Sequence, residues 1–135
     1  MRRAPQLLLF AALLMASCST LRGGDSRPSD RLQLYPTEMT TIGARAVIRG
    51  TIENTFDKPV HGVRYLVTII DTQTSQKVDV WQSEVDATLQ PGQRAPLNLE
   101  VESESLVGRN TRLKVKAEPA KVGSKSMPPP AGWKD

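Results

Sequence analysis

Residues 63–71, VRYLVTIID, decide how this chain folds. Val63, Tyr65, Val67 and Ile69 point one way and Leu66 and Ile70 the other, so the segment is apolar on both sides of a two-residue period. A strand of that kind is buried on both faces and belongs at the centre of a sheet. On its N-terminal side, Ala46, Ile48, Gly50 and Ile52 alternate with Val47, Arg49, Thr51 and Glu53, the pattern of a half-buried strand. On its C-terminal side, Leu97, Leu99 and Val101 alternate with Asn98, Glu100 and Glu102, and Leu113, Val115 and Ala117 alternate with Arg112, Lys114, Lys116 and Glu118. In residues 77–85 the phase slips, because Val78 and Val80 share one face and Trp81 and Val85 the other; a bulge or a change of sheet near Trp81 reconciles them. Residues 31–36, RLQLYP, supply a first short strand that ends at Pro36, whose ring removes a ladder donor.

Turn chemistry falls between these runs, at 54–59 (NTFDKP), 71–75 (DTQTS) and 90–93 (QPGQ). Pro91-Gly92 fits a type II turn with glycine at positive φ. Short strands at this spacing predict an all-β chain, a single antiparallel β-sandwich of immunoglobulin-like type over residues 31–119. The segments Ile48-Arg49-Gly50-Thr51-Ile52-Glu53-Asn54, Asp57-Lys58-Pro59-Val60 and Leu89-Gln90-Pro91-Gly92-Gln93 resemble the FxLYD group of extracytoplasmic β-sandwich domains of prokaryotic envelope proteins. The signature pentapeptide departs from that pattern: Val67-Thr68-Ile69-Ile70-Asp71 has valine for phenylalanine and isoleucine for tyrosine. The resemblance implies binding or assembly roles and no catalytic residues.

Ahead of the sandwich, Arg2 and Arg3 precede an apolar run, 7–15 (LLLFAALLM), too short to cross about 30 Å of hydrocarbon. Met15-Ala16-Ser17-Cys18 resembles a bacterial lipobox, so residues 1–17 read as a signal peptide and Cys18 as the lipidation site. The competing reading of Cys18 is a plain thiol beyond an ordinary secretory signal. Each buried acyl methylene contributes about 0.8 kcal/mol, so two or three chains make attachment effectively permanent where one does not. Ser19, by the same resemblance, directs the protein to the outer membrane, facing the periplasm. Residues 18–30, rich in Gly, Ser, Pro and charge, read as a lipidated, disordered tether, and residues 120–135, with Pro128-Pro129-Pro130, as a flexible C-terminal tail.

Composition narrows the chemistry. Cleavage after residue 17 removes only Arg2 and Arg3 from a formal charge of +4, leaving +2, too little for a clustered nucleic-acid face. The one cysteine excludes an intrachain disulfide, so the core alone must hold the fold. One histidine, His61, without a nucleophile elbow or a second ligand, gives neither a hydrolytic triad nor a zinc or copper site, and no cofactor is expected. Glu53, Asn54 and Asp57 are hard oxygen donors in one turn, but such residues more often bond their own backbone than calcium.

What remains is contact. Arg112, Lys114 and Lys116 form a basic row on one strand, able to meet phosphates, to pair with Glu100, Glu102 and Glu104 if the strands are neighbours, or to guard a sheet edge. Trp81 is expected in the core; Trp133, in the tail, is expected to be exposed and free to meet a partner. The resulting expectation is a non-catalytic outer-membrane lipoprotein that binds or assembles envelope proteins, the membrane held through Cys18. The alternative is a carrier or sensor of a small hydrophobic or anionic ligand between the sheets.

Overall fold

The alternating runs become seven strands in the computed structural model, which describes residues 31–135. The signal peptide, Cys18 and the tether lie outside those residues. β1 (Leu32–Ile42), β2 (Arg45–Asn54) and β5 (Arg94–Glu102) form one sheet in the order β1-β2-β5. β3 (Val60–Asp71), β4 (Gln76–Leu89), β6 (Thr111–Val122) and β7 (Lys125–Ser126) form the other, in the order β4-β3-β6-β7. All pairings are antiparallel, and the two sheets make an immunoglobulin-like sandwich.

β3 is the central strand that its sequence predicts. Val63, Tyr65, Val67 and Ile69 face the other sheet and are buried, meeting Ile48, Ile52, Leu97, Leu99 and Val101. Burying each such aliphatic chain contributes about 1.5–3 kcal/mol, against about 1–2 kcal/mol of backbone entropy per ordered residue. These side chains fill the space between the sheets. Gln90–Gln93 forms the expected turn, with Gln93 N–H donating to the Gln90 carbonyl at 2.9 Å and Gly92 at φ +78°.

Tyr65 is the one phenol in this interior, and burial raises its pKa above the ordinary value of about 10. The neutral phenol is therefore the form the fold prefers. Its contribution is fully present below pH ~10 and is lost as pH climbs through the raised folded value. In alkaline unfolding followed by Trp fluorescence, Tyr65→Phe is expected to hold its stability to higher pH than wild type; coincident curves would show that this burial is without consequence.

Three expectations are corrected. Pro36 does not end the first strand: β1 continues to Ile42 past a bulge between Pro36 and Glu38, because β1 is an edge strand and proline loses no ladder partner there. The phase slip in β4 comes not at Trp81 but at Val78, where Asp79 pairs with Ile69 and Lys77 with Ile70, leaving Val78 as the extra residue. Val78 and Trp81 therefore both lean on the core.

The third correction concerns the boundary at residue 120 and the loose tail. β6 runs through it to Val122 and turns back into β7, and Met127 N–H donates to the Ala120 carbonyl at 2.9 Å. The chain then crosses the outer face of the second sheet. Arg64 donates to the Met127 carbonyl at 3.1 Å, Pro130 is buried, and Lys134 and Gln82 exchange hydrogen bonds, Lys134 N–H donating at 2.8 Å. Leu66, on that outer face, is only 6% exposed, with Gly132 lying against it. The prolines make this docking cheap, since a chain already confined near polyproline II loses little entropy on ordering.

Candidate functional site at the open flank

Strand β6 places the predicted basic row. Arg112, Lys114 and Lys116 are exposed on the outer face of the second sheet, opposite Ile70, Thr68 and Leu66 of β3. The acidic row lies elsewhere: Glu100 and Glu102 are on β5 in the other sheet, where Glu102 pairs with Arg45 at 3.5 Å. The two rows do not cross-pair, and Glu104 sits in a 3₁₀ turn, Glu104–Leu106. Of the basic row, Lys116 reaches Glu118 at 3.9 Å; Arg112 and Lys114 have no ion pair among the described residues.

Trp133 is half-buried rather than free. Its ring receives the Arg64 guanidinium at 5.9 Å from its centroid, and Arg64 also meets Glu84 at 3.4 Å. The indole thus helps fasten the C-terminal segment to the sheet, a use that its position after three prolines hid.

The polar residues weighed for chemistry have structural work. His61 is exposed on β3, with Nδ1 3.3 Å from Thr88 Oγ1. Glu53 accepts from the Tyr35 hydroxyl at 2.9 Å, a bond that raises the phenol's pKa, and meets Arg94 at 3.3 Å. Asn54 is fully buried and spends its amide on the backbone of two loops. Asp71, retained from the FxLYD pattern, accepts from Gln73 N–H at 2.8 Å and Thr74 N–H at 3.3 Å and so shapes the β3–β4 turn.

A concave feature not anticipated from the sequence opens along the flank between β1, an edge strand of the first sheet, and β6, which β7 covers only at Lys121 and Val122. It is a groove of about 1010 Å³. Leu32, Leu34, Phe56, Val115, Ala117 and Val122 give it an apolar floor. Its rim carries Arg31, Lys58, Lys116 and Lys125 against Asp57 and Glu118, an excess of two positive charges. Leu34 and Val115 are only half-buried although both pack on the core, because among the described residues no strand covers β6 ahead of Lys121. One signal was available: Gly123 and Pro128 bracket too short a run for a full seventh strand beside β6.

No family model matches the chain, and no curated protein does. Among solved structures, a Bacteroides uniformis beta-glucuronidase 2, covalently bound to cyclophellitol-6-carboxylate aziridine, aligns with 73% of this chain at 16% identity and a TM-score of 0.45. A second Bacteroides uniformis beta-glucuronidase aligns with 66% of it at 16% identity and a TM-score of 0.41. The matched region spans 12% of the first enzyme's chain and 11% of the second's.

Proposed function

We propose that this chain is a non-catalytic binding module of the cell envelope, lipidated at Cys18, held on the periplasmic face of the outer membrane, and engaging another envelope protein through its sandwich. The observation that supports the binding role is the open flank. A groove with an apolar floor and a charged rim, left beside an uncovered strand, is the form that protein-recognition surfaces take. The support for the anchor is the lipobox-like run ending at Cys18.

Two arms of one experiment test this reading in intact cells. A photo-crosslinking residue replacing Leu34, in the groove, is expected to capture a discrete envelope protein, whereas the same residue replacing Glu100, on the outer face of β5, is expected to capture none. Cys18→Ser is expected to move the protein out of the membrane fraction and to abolish the groove adduct. Equal adducts at both positions, or none at Leu34, would overturn the binding role; membrane retention of Cys18→Ser would overturn the anchor.

A further inference from the structure

β6 has twelve residues and its seventh-strand neighbour two. We infer that the edge of β6, vacant among the described residues, is completed by an extended segment of the partner, added as a strand alongside residues 112–118, with acidic side chains on its outer face and apolar ones on its inner face. This deepens the proposed binding function and rests on it.

The direction of the backbone groups follows from the hairpin. Met127 N–H donates to the Ala120 carbonyl, so Ala120 turns its backbone groups away from β3. Along an antiparallel strand that direction alternates, and residues two apart share it. Arg112, Lys114, Lys116 and Glu118 therefore present N–H and C=O to the vacant side, while Leu113, Val115 and Ala117 bond to β3. β7 reaches only Lys121 and Val122.

The other edges are guarded differently. β1 is broken by the bulge after Pro36, β5 carries Pro96, and β4 has register shifts opposite both ends of β3. Proline and bulges spoil an edge for any added strand. Residues 112–118 of β6 contain neither. What stands there instead is Arg112, Lys114 and Lys116, which repel a second copy of the same edge and attract a carboxylate-bearing one. The side chains of an added strand alternate in the same way. Those facing out would stand beside the basic row, and those facing in would cover the half-buried Leu113 and Val115 and the groove floor. Backbone pairing sets the mode and alternate side chains set the choice of partner.

The test uses the full lipidated chain in detergent and two synthetic extended peptides, one alternating valine with glutamate and one alternating valine with lysine. With the acidic peptide, hydrogen exchange at the amides of Lys114 and Lys116 is expected to slow by roughly tenfold or more, and with the basic peptide to stay unchanged. Lys114→Pro removes an N–H that no strand pairs among the described residues, so the fold is expected to persist while the protection is lost. If that variant fails to fold, the triple exchange Arg112→Glu, Lys114→Glu and Lys116→Glu keeps the question open to measurement, because it is expected to switch the preference to the basic peptide. No slowing at these amides with the acidic peptide, slowing that persists in Lys114→Pro, or a triple exchange that leaves the preference unchanged overturns strand addition. The cellular adduct at Leu34 is independent of these amides, so the binding role can survive the loss of this inference.

Discussion

Gly50→Ala is expected to lower the stability of the sandwich by about 3 kcal/mol, the upper part of the range for overpacking a filled site. Elsewhere in a strand the same exchange gains about 0.5–1 kcal/mol, since glycine carries the larger entropy cost on folding. Here the sign reverses. A methyl carbon at Gly50 would lie 2.2 Å from the Tyr35 carbonyl oxygen and 2.7 Å from the Pro36 α-carbon. Both are backbone atoms of β1, held there by the bulge between Pro36 and Glu38, so no side chain can rotate away to make room. β1 must lift off β2, and it is an edge strand without a second neighbour to retain it. For a domain of this size, 3 kcal/mol corresponds to a fall in Tm of roughly 12–24 °C. Amide exchange in Leu32–Ile42 is expected to accelerate before that of β3. A variant as stable as wild type would show that β1 has slack at this crossing.

Gly50 also marks where the sequence stops being legible. Its alternation with Ala46, Ile48 and Ile52 places it correctly in a strand, but nothing in that pattern announces a neighbouring backbone close enough to forbid a methyl group. The centre of the fold was readable because burial imposes a period: β3, β5 and most of β2 and β6 are where alternation puts them. The edges were not, because there the period is relaxed. Pro36 looks like a stop yet is tolerated on an outer strand, and one extra residue of β4 is Val78, whose apolar side chain gives no hint of a bulge. The C-terminal segment reads as loose from its prolines, while its docking depends on Leu66, Arg64 and Gln82, residues far away along the chain. The basic row was visible in the sequence, but its position beside a vacant edge depends on the brevity of β7 and the path of the chain after it.

Asn54 carries the other large expected effect, and its role was hidden by its resemblance to an ordinary turn residue. Its side chain is wholly buried at the end of β2. The amide donates to the carbonyls of Lys58 at 3.0 Å and Leu89 at 2.9 Å, and Oδ1 accepts from Phe56 N–H at 2.8 Å. Asn54's own backbone bonds to the 90–93 turn, accepting from Gly92 N–H at 2.8 Å and donating to the Gln93 carbonyl at 3.0 Å. One residue thus ties the β2–β3 loop to the end of β4 and joins the two sheets. Asn54→Ala strands two carbonyls and one N–H, each costing about 1–3 kcal/mol when buried without a partner; with partial relaxation the expected loss is about 4 kcal/mol, independent of pH. Asn54→Asp separates hydrogen bonding from mere packing, because it preserves shape but sets a carboxylate oxygen against the Lys58 and Leu89 carbonyls. Repulsion and burial both favour the protonated acid, so the introduced carboxyl has its pKa raised above the unfolded value of about 3.9. A raised acid pKa means that the folded state holds its proton longer than the unfolded one, so stability is retained at low pH and declines as pH rises through the raised value. Urea unfolding at pH 7 and near pH 4 is therefore expected to show the Asn54→Asp deficit shrinking in acid while the Asn54→Ala deficit stays constant. Equal deficits for Asn54→Asp at the two pH values would mean that water reaches the corner and that Asn54 is not the dry pin between the sheets.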